Sequence, residues 1–252
     1  MMRISETVKH LIIINVIMFI GSMFIGEGML FKEWFSMYFP KNELFQPWQI
    51  LTHMFMHGGG MHIFFNMFAL WMFGTPVEQV LGSKRFLFVY FSAGLGAVGL
   101  QILYSYFIYQ SDLSILVNAG FDTTQILETL NSGFGMRDTR WDTFLPGDKL
   151  KNFLEAFHVP MVGASGCIMG IMAAFAMMNP NAELMMLFLP IPIKAKYFIP
   201  GIIILDLISG LTGQSFFSPS NTAYMAHVGG AVVGFLIMWY WKKTQFNRNR
   251  WN

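Results

Sequence analysis

Six apolar stretches dominate this sequence and constrain its fold more than any other feature. They cover residues 11–25, 61–73, 86–109, 165–178, 197–211 and 222–241. A helix that crosses a bilayer needs about 20 mostly apolar residues, and a shorter helix can begin below the membrane surface where protein or water satisfies its end. We therefore predict an all-α polytopic membrane protein, built as a bundle of six transmembrane helices.

The composition agrees with a protein embedded in a lipid bilayer. Hydrophobic residues make up 54% of the chain and charged residues 12%, with a mean hydropathy of +0.49, whereas soluble domains carry about 25% charged residues. A net charge of +2 spread along the chain argues against a nucleic-acid partner. Cys167 is the only cysteine, so an intramolecular disulfide cannot form.

Basic residues predict the orientation of the helices, because Lys and Arg accumulate in cytoplasmic loops. Those that flank the predicted spans on one side are Arg3, Lys9, Lys84, Arg85, Lys194, Lys196, Lys242, Lys243, Arg248 and Arg250. We expect cytoplasmic termini and, since no transit peptide is evident, a multi-pass protein of a bacterial plasma (inner) membrane. We also expect one domain, 1–252, with an extracytoplasmic insertion at about 110–162 that carries short amphipathic helices. The insertion either caps the bundle or binds substrate.

Polar groups inside apolar spans are costly and are therefore candidates for function. Ser165 lies in the small-residue turn Gly163-Ala164-Ser165-Gly166, which leads directly into a span. Unpaired N–H groups and the positive end of the helix dipole meet there, and both favour the oxyanion that forms when a serine attacks a carbonyl. Ser165 is either a nucleophile or an ordinary N-cap serine.

A second candidate is His227, at the start of the last span. It is followed by Gly230 and Gly234, which are four residues apart. Ser165 is likewise followed by Gly166 and Gly170, which are also four residues apart. Small residues at this spacing let membrane helices approach closely. Since a neutral imidazole can accept the proton of a serine hydroxyl, we expect His227 to act as the base of Ser165, the alternative being a histidine that only packs helices.

His62 and Asn66 are four residues apart and share one helical face. An imidazole and an amide are both suitable donors to an oxyanion, and the Ser165 backbone N–H is a third. The alternative is a pair of interhelical hydrogen bonds.

Three other candidates are less well supported. His53 and His57 have the spacing of zinc ligands, but Met54 stands where a zinc protease has glutamate. We therefore expect neither a metal nor another cofactor. Cys167 points away from the Ser165 face of its helix. Asp206 is expected near mid-membrane, too deep to contact His227, and is interpreted as a structural acid.

The ordered set of motifs resembles the rhomboid family of intramembrane proteases, from Trp48 to Gly234. The motifs are His62-x-x-x-Asn66, Gly163-Ala164-Ser165-Gly166 and Ala226-His227-x-x-Gly230, together with Trp48-Gln49 and Val77-Glu78-Gln79-Val80-Leu81-Gly82. Two positions depart from the family pattern: Gln49 replaces a frequent arginine, and Met169 replaces a frequent tyrosine one turn after the serine.

The resemblance implies a serine endopeptidase with a Ser165–His227 dyad and an oxyanion hole of His62, Asn66 and Ser165. It further implies a water-filled cavity that opens outward, and as partners the lipid bilayer and transmembrane protein substrates whose helices unwind easily. The oligomeric state does not follow from the sequence. The alternative functions are an inactive rhomboid-like protein that binds transmembrane helices, and a channel or transporter, which the scarcity of paired intramembrane charges and of repeats disfavours.

Overall fold

The computed structural model describes residues 3–186, 189–219 and 222–244, and these residues are mostly helical. Arg248 and Arg250, which contributed to the predicted orientation, lie outside them. The α-helices are α1 Glu6–Phe24, α2 Met29–Phe35, α3 Gln49–Thr52, α4 Gly60–Ala69, α5 Thr75–Leu81, α6 Ser83–Asn118, α7 Thr123–Asn131, α8 Asp148–His158, α9 Ser165–Met178, α10 Ala195–Thr212 and α11 Tyr224–Thr244. Segments Ile25–Gly28, His53–Phe55 and Thr139–Thr143 are 3₁₀-helical, and Leu70–Gly74 is π-helical.

Four of the described helices, α1, α6, α10 and α11, are long and apolar enough to cross a membrane. The other two predicted spans coincide with shorter apolar elements. Helix α9 has 14 residues, and residues 61–73 fall on α4 and the π-helical turn that joins it to α5. A membrane bundle is therefore present, while the count of six crossings stays a prediction.

Helix α6 is longer than its apolar stretch, and the predicted end at residue 109 is wrong. It has 36 residues, which corresponds to about 54 Å, whereas the hydrocarbon core is about 30 Å thick. Gln110, Ser111 and Asp112 make its last turns look like a loop. Leu113 and Leu116 nevertheless pack into a second hydrophobic core there, and this burial maintains the helix.

That second core belongs to the predicted insertion, whose short helices are present as α7 and α8. Their buried residues Ile126, Leu130 and Phe153 form one hydrophobic cluster with Trp141 and with Leu113 and Leu116 of α6. The Asp122 carboxylate caps α7 by accepting from the backbone N–H of Thr124 and Gln125. We call residues 119–162 the cap.

The prediction of an all-α fold misses one small sheet. Strands β1 Glu183–Met186 and β2 Leu189–Lys194 pair antiparallel between α9 and α10, with Glu183 opposite Lys194. Ala195 begins α10 directly after the hairpin, and its N–H donates to the Ala182 carbonyl. The hairpin therefore fixes the start of α10.

Helix α9 occupies the centre of the membrane core. Each of its residues from 166 to 175 is buried, because α9 packs between α6 and α11. Close packing depends on small residues: a Cβ added to Gly166 would lie 2.4 Å from that of Ala97, and one added to Gly170 would lie 2.2 Å from that of Ala93. The residue that begins this central helix is Ser165.

Candidate active site

Ser165 is the first residue of α9, and Ala164 occupies the cap position before it. The interpretation of Ser165 as an N-cap serine is therefore wrong. Its side chain is half-buried, in contrast to the buried residues that follow it. The backbone N–H groups of the first helical turn have no partner within the helix, so they are available to an anion placed beside Ser165.

The turn before Ser165 requires glycine and borders His62. Gly163 has a φ of +122°, a conformation that residues with a side chain rarely adopt. A Cβ at this position would lie 2.8 Å from Nε2 of His62 and 3.7 Å from Oγ of Ser165. The imidazole of His62 and the hydroxyl of Ser165 therefore both lie close to Gly163.

Two contacts with residues 36–59, the segment between α2 and α4, hold residues 161–163 in place. Met161 and Met37 exchange backbone hydrogen bonds of 2.9 and 3.0 Å, and the N–H of Gly163 donates to the His53 carbonyl at 3.0 Å. The His53 ring is itself fixed, since its Nδ1 lies 2.8 Å from the Gln49 carbonyl. Burial lowers the pKa of His53 to about 4, so the ring is neutral at neutral pH.

Gln49, where the family often has arginine, organises the segment between α2 and α4. Its side chain is fully buried. The amide Nε2 donates to the carbonyls of Glu33 and Leu44 at 2.9 Å each, and Oε1 accepts from the backbone N–H of Tyr38 and Gln46. All four hydrogen-bonding positions of the amide are used, so a neutral side chain satisfies this segment without arginine.

His62 has a defined tautomer. The backbone N–H of Gly58 donates to Nδ1 at 3.2 Å. A neutral imidazole that accepts at Nδ1 carries its hydrogen on Nε2, the nitrogen nearest Gly163. His62 therefore presents an N–H donor beside the turn that leads into Ser165.

Asn66 and His57 supply buried polar atoms that lack partners among the described residues. The atoms are Nδ2 of Asn66 and both ring nitrogens of His57. The rings of His57 and His62 are 5.1 Å apart, and burial lowers the pKa of His57 to about 4. Buried donors usually have a partner, so the amide of Asn66 is available to bind an acceptor that enters this region.

His227 lies in the first turn of α11, and its Nδ1 is 2.7 Å from Oδ2 of Asp206 on α10. The expectation that Asp206 lies too deep to contact His227 is wrong. That expectation placed Asp206 near mid-membrane and His227 nearer the outer surface. Asp206 precedes the end of α10 by six residues, about 9 Å, and α11 begins low enough for its first turn to meet it.

Helices α9 and α11 approach each other backbone to backbone immediately after Ser165 and His227. A Cβ on Gly230 would lie 2.0 Å from the Gly166 carbonyl oxygen, and one on Gly234 would lie 2.4 Å from that of Gly170. The Gly166–Gly230 contact is one residue after Ser165 and three residues after His227. The packing thus brings the N-terminal turns of the two helices that carry the predicted dyad together.

Comparison with known proteins identifies the family. The sequence matches the Rhomboid domain over residues 44–244. The mitochondrial presenilin-associated rhomboid-like protein of Rattus norvegicus is 26% identical over 192 residues, which are 76% of this chain and 36% of that protein. Mitochondrial rhomboid protein 1 of Saccharomyces cerevisiae is 22% identical over 195 residues, 77% of this chain and 42% of that protein.

A shorter similarity with a higher identity links the chain to a bacterial protein. Rhomboid protease GluP of Bacillus subtilis (strain 168) is 48% identical over 48 residues, 19% of this chain and 10% of that protein. The chain thus spans well under two thirds of the length of these relatives. The domain match covers most of the chain and includes every residue of the candidate site. This chain belongs to the rhomboid family of membrane proteins.

Proposed function

We propose that the chain is an intramembrane serine endopeptidase that cleaves transmembrane segments of other membrane proteins. The observation that carries the proposal is the contact between Gly166 and Gly230, which packs the helix that begins at Ser165 against the helix whose first turn holds His227. The unpaired N–H groups at the start of α9 and the Nε2–H of His62 add suitable donors for an oxyanion.

The reaction follows the two-step chemistry of acyl transfer. The Ser165 hydroxyl gives its proton to Nε2 of His227 while Oγ bonds to the substrate carbonyl carbon. The resulting oxyanion accepts hydrogen bonds from the Ser165 N–H, the His62 Nε2–H and the Asn66 amide. His227 then protonates the leaving amine as the C–N bond breaks, and a water molecule hydrolyses the acyl-enzyme. Side chains and water suffice, so the proposal needs no metal or other cofactor.

The substrates we propose are helices that unwind easily near the outer end of the site. Hydrolysis needs an extended peptide at Ser165, whereas a membrane helix buries its carbonyls in hydrogen bonds. Small and helix-breaking residues lower the cost of that unwinding. We place the protein in a plasma membrane with cytoplasmic termini and an outward-facing site, and we treat residues 1–252 as one six-span domain with an insertion.

The proposal is tested by cleavage of a transmembrane reporter in liposomes. Wild type, Ser165→Ala and His227→Ala are reconstituted at equal amounts, with and without a chelator. We expect wild type to cut with or without the chelator and both variants to be inactive. Cleavage by Ser165→Ala would refute the nucleophile. A wild type that binds the reporter and never cuts it would instead favour an inactive protein that binds transmembrane helices.

A further inference from the structure

Asp206 is an acid placed where a membrane protein would be expected to avoid one. Its side chain is fully buried in the apolar helix α10, between Leu205 and Leu207. A buried carboxyl group is costly unless it is paired, and such groups in membrane helices usually serve a function. Its Oδ2 is hydrogen-bonded to Nδ1 of His227, while Oδ1 has no hydrogen-bond partner among the described residues. A function of this acid therefore has to act through its hydrogen bond to the His227 ring.

This hydrogen bond determines which nitrogen of His227 is basic. A carboxylate can only accept, so Nδ1 carries the ring hydrogen and Nε2 keeps its lone pair. The proposed reaction needs this tautomer, because Nε2 has to accept the Ser165 proton. Without a partner at Nδ1 the ring could place its hydrogen on either nitrogen and could rotate.

The helices that carry the pair are held together close to it. A Cβ on Gly210, one turn after Asp206, would lie 2.8 Å from the Met225 side chain of α11. The Tyr104 hydroxyl of α6 donates to the Gly210 carbonyl at 2.7 Å and fixes α10 from the other side. The acid is thus held on a rigid element rather than on a loop, which suits a residue that orients another.

We propose that Asp206 is the positioning residue of His227, and that the proposed protease works with an acid–histidine–serine triad instead of a dyad alone. This inference rests on the proposed function. During attack, the proton of Ser165 moves to Nε2 and His227 becomes positively charged. The Asp206 carboxylate keeps its hydrogen bond to Nδ1 and stabilises that charge; the proton then leaves with the amine. Asp206 touches neither substrate nor the reacting atoms.

The test compares Asp206→Asn with wild type in the liposome assay, with kcat, KM and thermal midpoint measured for each. Asparagine keeps the size of the side chain but removes the charge. In a serine protease this change lowers kcat by up to about 10⁴-fold, and we expect a loss on the order of 10²-fold or more with KM and the midpoint close to wild type. Asn15→Ala, which removes a buried polar side chain from α1, is the control and should keep its kcat.

Each result has a distinct meaning. A large loss of kcat in Asp206→Asn alone supports the positioning role. A kcat within about threefold of wild type, or a loss that merely follows a lowered midpoint, overturns it and leaves the Ser165–His227 dyad intact. Wild type that does not cut, or Ser165→Ala that does, refutes the proposed function and this inference with it.

Discussion

His62 directs its Nε2–H towards Gly163, and Asn66 follows one turn later on the same face of α4. If these donors bind the oxyanion, they act in the transition state more than on bound substrate. Their removal should therefore lower kcat and leave KM nearly unchanged. This expectation distinguishes oxyanion donors from side chains that only pack helices, because the loss of a packing side chain would lower the stability of the protein before it lowered kcat.

We predict that Asn66→Ala lowers kcat on the order of 10²-fold, as the loss of one oxyanion donor does in other serine hydrolases. Steady-state kinetics on the transmembrane reporter provide the measurement. Phe65→Leu is the matched control, because Phe65 lies beside Asn66 in sequence but on the exposed side of α4. An Asn66→Ala kcat within about threefold of wild type would remove Asn66 from the proposed site.

Candidate residues could be selected from the sequence where a motif and a helix start coincided. Ser165, His227, His62 and Asn66 could each be selected as polar groups at the ends of apolar spans. The contact of Asp206 with His227 was not predictable in this way, because it depends on the relative depth of α10 and α11. The sequence signal that remained was a lone acid in an apolar helix.

Glycine contacts decide how α9 and α11 pack. A Cβ on Gly230 would meet the Gly166 carbonyl oxygen, which belongs to backbone and cannot move aside. We predict that Gly230→Ala lowers the free energy of unfolding by about 1–3 kcal/mol, the usual range for overpacking, and abolishes cleavage by separating Ser165 from His227. Thermal unfolding in detergent and the cleavage assay provide the measurements.

The control for this change is Gly99→Ala on α6, where an added Cβ would meet nothing within 4 Å. Alanine is a better helix former than glycine, so this variant should keep both its stability and its activity. Equal behaviour of the two variants would contradict the account of α9 and α11 packing.

Glu78 joins three helices at the other end of the bundle. Its carboxylate accepts from the Ser5 hydroxyl, from the N–H groups of Thr7 and Val8 at the start of α1, and from the Ser83 hydroxyl at the start of α6. Burial alone would raise the pKa of Glu78, but these hydrogen bonds outweigh it and hold the pKa below its ordinary value of 4.5.

The Glu78 carboxylate stabilises the folded protein because its pKa is lower there than in the unfolded chain. This stabilisation is complete above the unfolded pKa of 4.5 and is lost as pH falls through the lower pKa of the folded protein. We predict that Glu78→Gln lowers the free energy of unfolding at neutral pH by about 1–3 kcal/mol. Thermal midpoints at neutral pH and at about pH 3 should show the difference between variant and wild type shrinking with acidity. A difference independent of pH would contradict this assignment.

Elements were predictable wherever hydropathy alone determined them. Helices α1, α10 and α11 follow their apolar stretches closely. The last turns of α6 were not predictable from hydropathy, because they depend on the second core. The β1–β2 hairpin was not predictable either, because it depends on pairing between two short apolar segments. In both cases tertiary contacts override the local pattern.

The whole molecule contains a membrane core and the cap, each with its own hydrophobic cluster. The cap joins the site through the Met37–Met161 pairing and Gly163. The sequence predicted an insertion here with short helices. It did not predict that the last residues of the insertion lead into the turn before Ser165 and are held there by Met37.

We predict that Phe153→Ala loosens the cap while the membrane core stays folded. Phe153 is fully buried, stacks on Tyr109 at 5.6 Å and contacts Trp141, and losing such a side chain costs about 3–5 kcal/mol. Hydrogen exchange should rise across residues 119–162 and stay slow in α9. The control is Phe134→Ala, since Phe134 is 78% exposed. Faster exchange throughout the bundle would show that the two cores do not unfold separately.

The most direct test of the proposed protease is covalent labelling of Ser165. A fluorophosphonate forms a phosphorus–oxygen bond with an activated serine hydroxyl and releases fluoride, so the adduct marks the nucleophile. Mass spectrometry of the digested protein should find the adduct on Ser165, slower labelling in His227→Ala, and none in Ser165→Ala. An adduct on another residue, or cleavage of the reporter with Ser165 unlabelled, would contradict the account.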